Sequence, residues 1–219
     1  MALILCIETA TTNCSVALSE DGTLKAVREE NLQKYSHAEN LHVFIDEVFK
    51  ACNLSLNQLD AVAVSKGPGS YTGLRIGVSA AKGIAFALDI PLISITTPEV
   101  LVQHIQNWNQ GYVIPLLDAR RMEVYSAIFK DRMMVRKIEA EILTDQSFNS
   151  YLNEAKCVFI GDAVTKSKSV ITHNNAVFLE AKYPSAKEMG SIAENKFQNA
   201  EFEDVAYFEP FYLKEFMPG

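Results

Sequence analysis

Along the 219-residue chain the apolar positions come in short runs whose period keeps changing. Leu3 to Ile7 is continuously apolar, as in a strand buried on both faces, and Cys14 to Ser19 and Thr23 to Arg28 flank Asp21-Gly22 as a hairpin. The period then turns helical. Leu41, Phe44, Ile45, Val48 and Phe49 stand at i, i+3, i+4, i+7 and i+8 behind Ser36-His37-Ala38-Glu39, which has capping-box spacing. Ala61 to Lys66 predicts a strand, Gly73 to Leu88 a helix, Pro91 to Ile95 a strand and Pro98 to Asn107 a helix.

From Tyr112 the pattern starts again. Val113 to Leu117 and Glu123 to Lys130 predict two strands, with Asp118 ending the first, and a third is expected near Val135 to Ile142. A helix near Asp145 to Glu154, a strand at Cys157 to Ile160, the turn Gly161-Asp162 and a helix near Ala163 to Thr172 follow. A short strand at Ala176 to Leu179 and a helix from Ser185 to Asn199, capped by Ser185 with Glu188, end the series. Laying Ile7-Glu8-Thr9 on Leu117-Asp118-Ala119 brings Cys14 to Ser19 close to Glu123 to Ile128, a weak internal repeat. The expectation is two β-rich α/β halves, 1–108 and 109–219, with no low-complexity linker between them.

The segment Ser65 to Gly77, SKGPGSYTGLRIG, sits where a predicted buried strand hands over to a helix. Gly67 and Gly69 around Pro68 suit a tight turn with close backbone approach, and a helix start carries unpaired N–H donors that suit an anion. Plain turn geometry explains the same residues equally well. The common phosphate and nucleophile loops do not fit. A Walker A loop needs Lys after its second glycine, a dinucleotide loop needs glycine at Thr72, and a nucleophile elbow around Ser70 needs glycine at Pro68 and Thr72.

Composition narrows the setting. A net charge of −7 and a pI near 5.2 argue against independent, tight nucleic-acid binding, and Arg120 with Arg121, or Arg132 with Arg136 and Lys137, read as solvated faces that could touch RNA only within a complex. Cys6, Cys14, Cys52 and Cys157 have neither metal-ligand nor disulfide-framework spacing and read as buried thiols. The opening MALILCIETA has no basic segment and its apolar run stops at Glu8, so a cytoplasmic protein without a membrane span is expected.

The segment GPGSYTGLRIG resembles, nearly letter for letter, the GPGSFTGLRIG signature of the TsaB (YeaZ) family, with Tyr71 in place of Phe. The resemblance continues through CSVAL, SHAENL, DARRMEVY and EPFYLKE, over nearly the whole chain. It implies the duplicated ribonuclease H-like α/β fold of the actin and sugar-kinase superfamily. It also implies a role in attaching a threonylcarbamoyl group to the adenosine beside the tRNA anticodon, as the catalytically silent partner of the paralogue TsaD. A TsaE-like ATPase in the complex, only indirect contact with tRNA, a homodimer when alone and no cofactor go with that expectation. The implied structural loop is Gly67, Pro68, Gly69, Ser70, Thr72, Gly73 and Arg75.

The residues are compatible with silence. TsaD-like enzymes carry His-x-x-x-His on the helix that here reads ITTPEVLVQH, where His104 stands alone, and His37, His42 and His173 form no i, i+4 pair. Glu8, where the family usually has Asp, and Asp118 end equivalent strands; superfamily ATPases hold Mg-ATP at such ends, but polar groups closing buried strands explain both. Two other classes stay open: a peptidase, which needs a nucleophile or metal constellation, and a small ATP-dependent kinase, which needs a phosphate loop at Thr9 to Asn13. Gly73, Gly77, Ala81 and Ala85 form a small-residue row that would let a partner helix come close. The partner face is expected to use Leu41, Phe44, Ile45 and Val48 with Leu74, Val78 and Ala81, exposed in the free chain.

Overall fold

A computed structural model describes residues 1–31, 37–105, 111–180 and 182–214. Its contacts divide the chain into one unit of Met1–Val100 with Pro184–Gly219 and another of Leu101–Tyr183. The segment from Pro184, which chain order assigns to the second half, thus returns to the first.

The first unit is built on strands β1 (Leu3–Glu8), β2 (Asn13–Glu20), β3 (Thr23–Asn31), β4 (Ala61–Gly67) and β5 (Leu92–Thr96), in the order β3-β2-β1-β4-β5. β1 runs antiparallel to β2 and parallel to β4. Helices α1 (His37–Cys52) and α2 (Tyr71–Leu88) cover one face, and α6 (Gly190–Gln198) the other. The continuous apolar run of β1 follows from this. Leu3, Leu5 and Ile7 join the core under α1 and α2, while Ala2, Ile4 and Cys6 alternate onto the opposite face with Met189 and Ala193.

In the second unit β6 (Gly111–Asp118), β7 (Glu123–Lys130), β8 (Met133–Ile142), β9 (Lys156–Ile160) and β10 (Ala176–Phe178) are ordered β8-β7-β6-β9-β10. Substituting β1 to β5 for β6 to β10 reproduces the first sheet, down to an antiparallel β6–β7 and a parallel β6–β9 pair. The weak repeat is therefore a duplicated α/β fold. Its helices shrank: α4 (Asn149–Glu154) and α5 (Val164–Lys168) stand in chain order where α1 and α2 do.

Several elements are shorter than their apolar periodicity suggests. α4 starts only at Asn149 because Phe148 sits at φ 64°, outside the helical region. α5 ends early where the Ser167 hydroxyl donates to the Ala163 carbonyl and that of Ser169 to the Lys166 carbonyl, bonds that compete with helix continuation. The expected helix from Ser185 splits into a 3-10 turn, Ala186–Glu188, and α6; Ser185 Oγ accepts from Lys187 N–H at 3.3 Å. Of the helix expected to Asn107, α3 (Thr97–Val102) forms, and its expected end falls outside the described residues, as does the Ser36 cap of α1. β8 begins two residues earlier than expected, at Met133, directly after the turn at Asp131 and Arg132.

The returning C-terminal segment is tied to the first sheet and to α2 at several points. Phe211 N–H donates to Lys66 O at 2.7 Å and Glu203 N–H to Leu92 O at 2.8 Å. Ser185 Oγ meets Glu29 Oε2 at 2.5 Å, and Lys82 Nζ donates to Phe208 O at 2.8 Å. Among the described residues no helix is long and apolar enough to cross a membrane.

Candidate functional site: the turn after the first strand and its counterpart

In open α/β sheets ligands bind beyond the carboxyl ends of the parallel strands. In the first unit those are the ends of β1, β4 and β5, and the first two are occupied by the chain itself. The turn Thr9-Ala10-Thr11 is buried. Ala10 O accepts from Ser70 N–H at 2.7 Å, Thr9 Oγ1 donates to Gly73 O at 2.8 Å, and the His37 ring contacts Thr11 O through Nε2 at 2.7 Å. A carbonyl can only accept, so the His37 proton is on Nε2; burial lowers its pKa and favours that neutral ring.

The signature loop makes this closure. Gly67 has φ +108°, and a side chain there would press on Leu74 and on Phe211 O; the Gly67–Pro68 peptide is cis. A Cβ at Gly69 would lie 2.3 Å from Ala10 O, one at Gly73 2.2 Å from Thr9 O and one at Gly77 2.2 Å from Thr9 Oγ1. The glycines thus let the start of α2 lie directly on the turn. Ser70 caps α2 by accepting from Gly73 N–H at 3.3 Å. Thr72 and Arg75 point outward, and the Arg75 guanidinium stacks 4.2 Å over the Tyr71 ring and meets Tyr212 Oη at 3.3 Å.

Glu8 is fully buried at the end of β1. Its Oε1 accepts from Ala10 N–H at 2.6 Å, while Oε2 has no hydrogen-bond partner among the described residues. Burial pushes its pKa up to about 7, against the smaller opposing pull of the Ala10 N–H, the nearby Ser65 hydroxyl and the Thr9 N–H.

The second unit's counterpart is open. Asp118 and the arginines after it, Arg120 and Arg121, are exposed. Asp118 Oδ1 pairs with Lys166 Nζ at 2.9 Å, and Asp162 Oδ1 accepts from Asp118 N–H at 2.8 Å. Burial raises the Asp162 pKa to about 6. Gly161, at φ +129°, ends β9 as Gly67 ends β4, and its Cβ would lie 2.0 Å from Leu116 O.

The residues expected on an exposed partner face are elsewhere. Leu41, Phe44, Ile45, Val48, Leu74, Val78 and Ala81 are all buried in the core against the first sheet, since both helices spend their main apolar stripe on it. The small-residue row Gly73, Gly77, Ala81 and Ala85 is buried too, and its two glycines lie on Thr9. Outward-facing positions are Val43 on α1 and Ser79, Gly83 and Phe86 on α2; Phe86 is 81% exposed, and a Cβ on Gly83 would meet nothing.

The remaining candidates are accounted for locally. His104 Nε2 contacts Tyr183 O at 3.1 Å, and His173 Nδ1 accepts from Asn175 N–H at 3.1 Å. Arg136 is not a solvated charge but is paired with Glu141 at 2.5 Å and lies over the Phe148 ring. The four cysteines are unpaired, and burial lifts the thiols of Cys6, Cys14 and Cys157 to about 12. Among the described residues no three His, Cys, Asp or Glu side chains gather in a metal-binding group. His37 and Asp162 were not singled out by spacing; for His37 the only cue was its place in SHAENL.

Comparison with known proteins agrees with this geometry. The TsaD model, tRNA N6-adenosine threonylcarbamoyltransferase, matches residues 31–216. The TsaB proteins of Haemophilus influenzae and Escherichia coli, each described as a tRNA threonylcarbamoyladenosine biosynthesis protein, are 31% and 30% identical to the chain. Each alignment spans 96% of this chain, and 93% and 94% of the relative. A Pseudomonas aeruginosa protein described as similar to peptidase YeaZ superposes with a TM-score of 0.82 at 24% identity, over 98% of this chain and 100% of that one, a likeness of fold. By the extent of these matches the chain belongs to the TsaB (YeaZ) family of tRNA threonylcarbamoyladenosine biosynthesis proteins.

Proposed function

We propose that this chain is the non-catalytic subunit of a tRNA threonylcarbamoyl transferase, acting by binding a TsaD-like paralogue. The observation that carries the reading is the closed turn after β1. A nucleotide phosphate at that strand end would need free donors on Thr9 to Thr11, but the Thr9 hydroxyl is spent on Gly73 O and the Ala10 N–H on Glu8 Oε1, while Ser70 and His37 hold the carbonyls of Ala10 and Thr11. Opening it would cost those buried hydrogen bonds together with the packing of α2, so the position serves the chain's own fold rather than a ligand.

The partner face in this reading is the outer side of α1 and α2, centred on Val43, Ser79, Gly83 and Phe86. A bare glycine beside an exposed phenylalanine is suited to close helix contact, and burying a phenylalanine of that kind contributes roughly 1.5–3 kcal/mol. A TsaE-like ATPase joins the same complex, and a second copy of the chain can use the same face when the paralogue is absent.

The test is paired. Phe86→Asp should leave the melting temperature of the isolated chain within the range of a neutral surface change, about 0.5 kcal/mol, while abolishing co-purification with the paralogue and tRNA threonylcarbamoylation. Phe44→Asp should instead unfold the chain, because a carboxylate would be buried without a partner, at a cost of about 4 kcal/mol or more. A Phe86→Asp chain that folds and still binds the paralogue would place the interface elsewhere. ATP turnover by the purified chain alone would contradict the non-catalytic role.

A further inference from the structure

The open turn between β6 and β7 carries an unusual choice of residues. Arg120 and Arg121 are both in the left-handed region, at φ 72° and 49°. Such positions ordinarily go to glycine, asparagine or aspartate, as at Asp21 and Gly22 between β2 and β3. Two long cationic side chains in that conformation are strained, and strain of this kind persists where the surroundings impose it and the side chain is used.

The surroundings do impose it. Asp118 Oδ1 accepts from Arg120 N–H at 2.6 Å and from Lys166 Nζ at 2.9 Å. Lys166 spends its other donors on Arg121 O at 3.0 Å and Glu123 O at 2.6 Å, and Glu123 N–H closes the turn on Arg120 O at 3.1 Å. Asp118, the acid of this turn, is therefore turned inward on backbone and lysine. Both guanidinium groups are exposed, and neither has a hydrogen-bond or ion-pair partner among the described residues. The result is a braced turn on which two consecutive arginines are exposed to solvent.

Resting on the function proposed above, we propose that Arg120 and Arg121 are a direct phosphate-contacting element for the tRNA backbone. Guanidinium groups match phosphate oxygens bidentately, and adjacent arginines on a rigid turn offer two such contacts with little ordering cost. The net charge of −7 on the chain as a whole confines the attraction to this turn, so it adds to the contacts of a partner and does not drive binding by itself.

The test uses the double variant Arg120→Asn/Arg121→Gly, whose residues suit the observed φ values, in complex with the paralogue. Bacterial tRNA binding is measured across a KCl series beside wild type. The variant chain should melt at the same or a higher temperature and co-purify with the paralogue as before. It should bind tRNA several-fold more weakly at low salt, with the slope of log K against log salt reduced by about 1 per arginine. Unchanged affinity and slope would overturn the proposal. So would loss of the paralogue instead of tRNA, which would assign the arginines to an acidic protein surface. If wild type itself fails to bind the paralogue, the proposed function fails and this proposal, which rests on it, is overturned with it; unchanged tRNA affinity in a complex that does form overturns this proposal alone.

Discussion

The two units share a strand order and differ in what stands over the ends of their parallel strands. In the first, an 18-residue α2 lies on the buried turn after β1, with Gly69, Gly73 and Gly77 removing every atom that would hold it away. In the second, α5 has five residues and the equivalent turn stands in solvent with its arginines outward. One topology thus supports a sealed and an open strand end. The determinant is not the sheet, whose strand order and directions repeat, but the side-chain volume at the start of the following helix.

The sharpest way to break that contrast is to restore volume in the first unit. Gly69→Ala should destabilise the chain by roughly 3 kcal/mol, since its Cβ would fall 2.3 Å from a backbone carbonyl that cannot move without giving up its bond from Ser70 N–H. Denaturant unfolding reads this directly. A cost below 1 kcal/mol would mean that α2 does not press on the turn.

A smaller effect should come from Glu8. Its folded pKa is raised to about 7 from the ordinary glutamate value of 4.5, so the folded state holds the proton more tightly than the unfolded chain. The stability it contributes is therefore fully present below about pH 4.5 and is lost as pH rises to about 7. Glu8→Gln removes that loss. The variant should gain on the order of 1–3 kcal/mol over wild type at pH 8, and the gain should fade toward pH 4.5, as measured by urea unfolding at both values. A difference independent of pH would show that Glu8 is already ionised inside the fold.

The smallest effect concerns the outer side of α2. Gly83 lies in the helix interior with open space around it, so Gly83→Ala should stabilise the isolated chain by about 0.5–1 kcal/mol. Gly83→Leu would sharpen the comparison between inner and outer glycines. It should fold normally by circular dichroism and weaken co-purification with the paralogue, whereas a bulky residue at Gly73 should not fold.

Much of this architecture was legible in the chain. Continuous apolar runs identified β1 and β4, Asp21-Gly22 identified the first hairpin, and the weak match of Glu8 to Asp118 announced a duplication that the strand orders repeat. Those signals are local, and local backbone geometry enforces them. The residues expected to be exposed on α1 and α2 are buried for a related reason. Periodicity names the apolar stripe of a helix, and Leu41, Phe44 and Val78 do form one, but the stripe was already spent on the chain's own sheet.

By itself, then, the sequence determined the order of elements, the family and the loop that marks it, because periodicity, turn chemistry and a long motif are written residue by residue. The tertiary structure alone decided which side of α1 and α2 is free, that Pro184 onward rejoins the first unit, and that His37 locks Thr11. It also decided that Glu8 is sealed while Asp118 is open. Each of these depends on contacts between residues far apart in the chain, and burial is a property of those contacts rather than of any one segment.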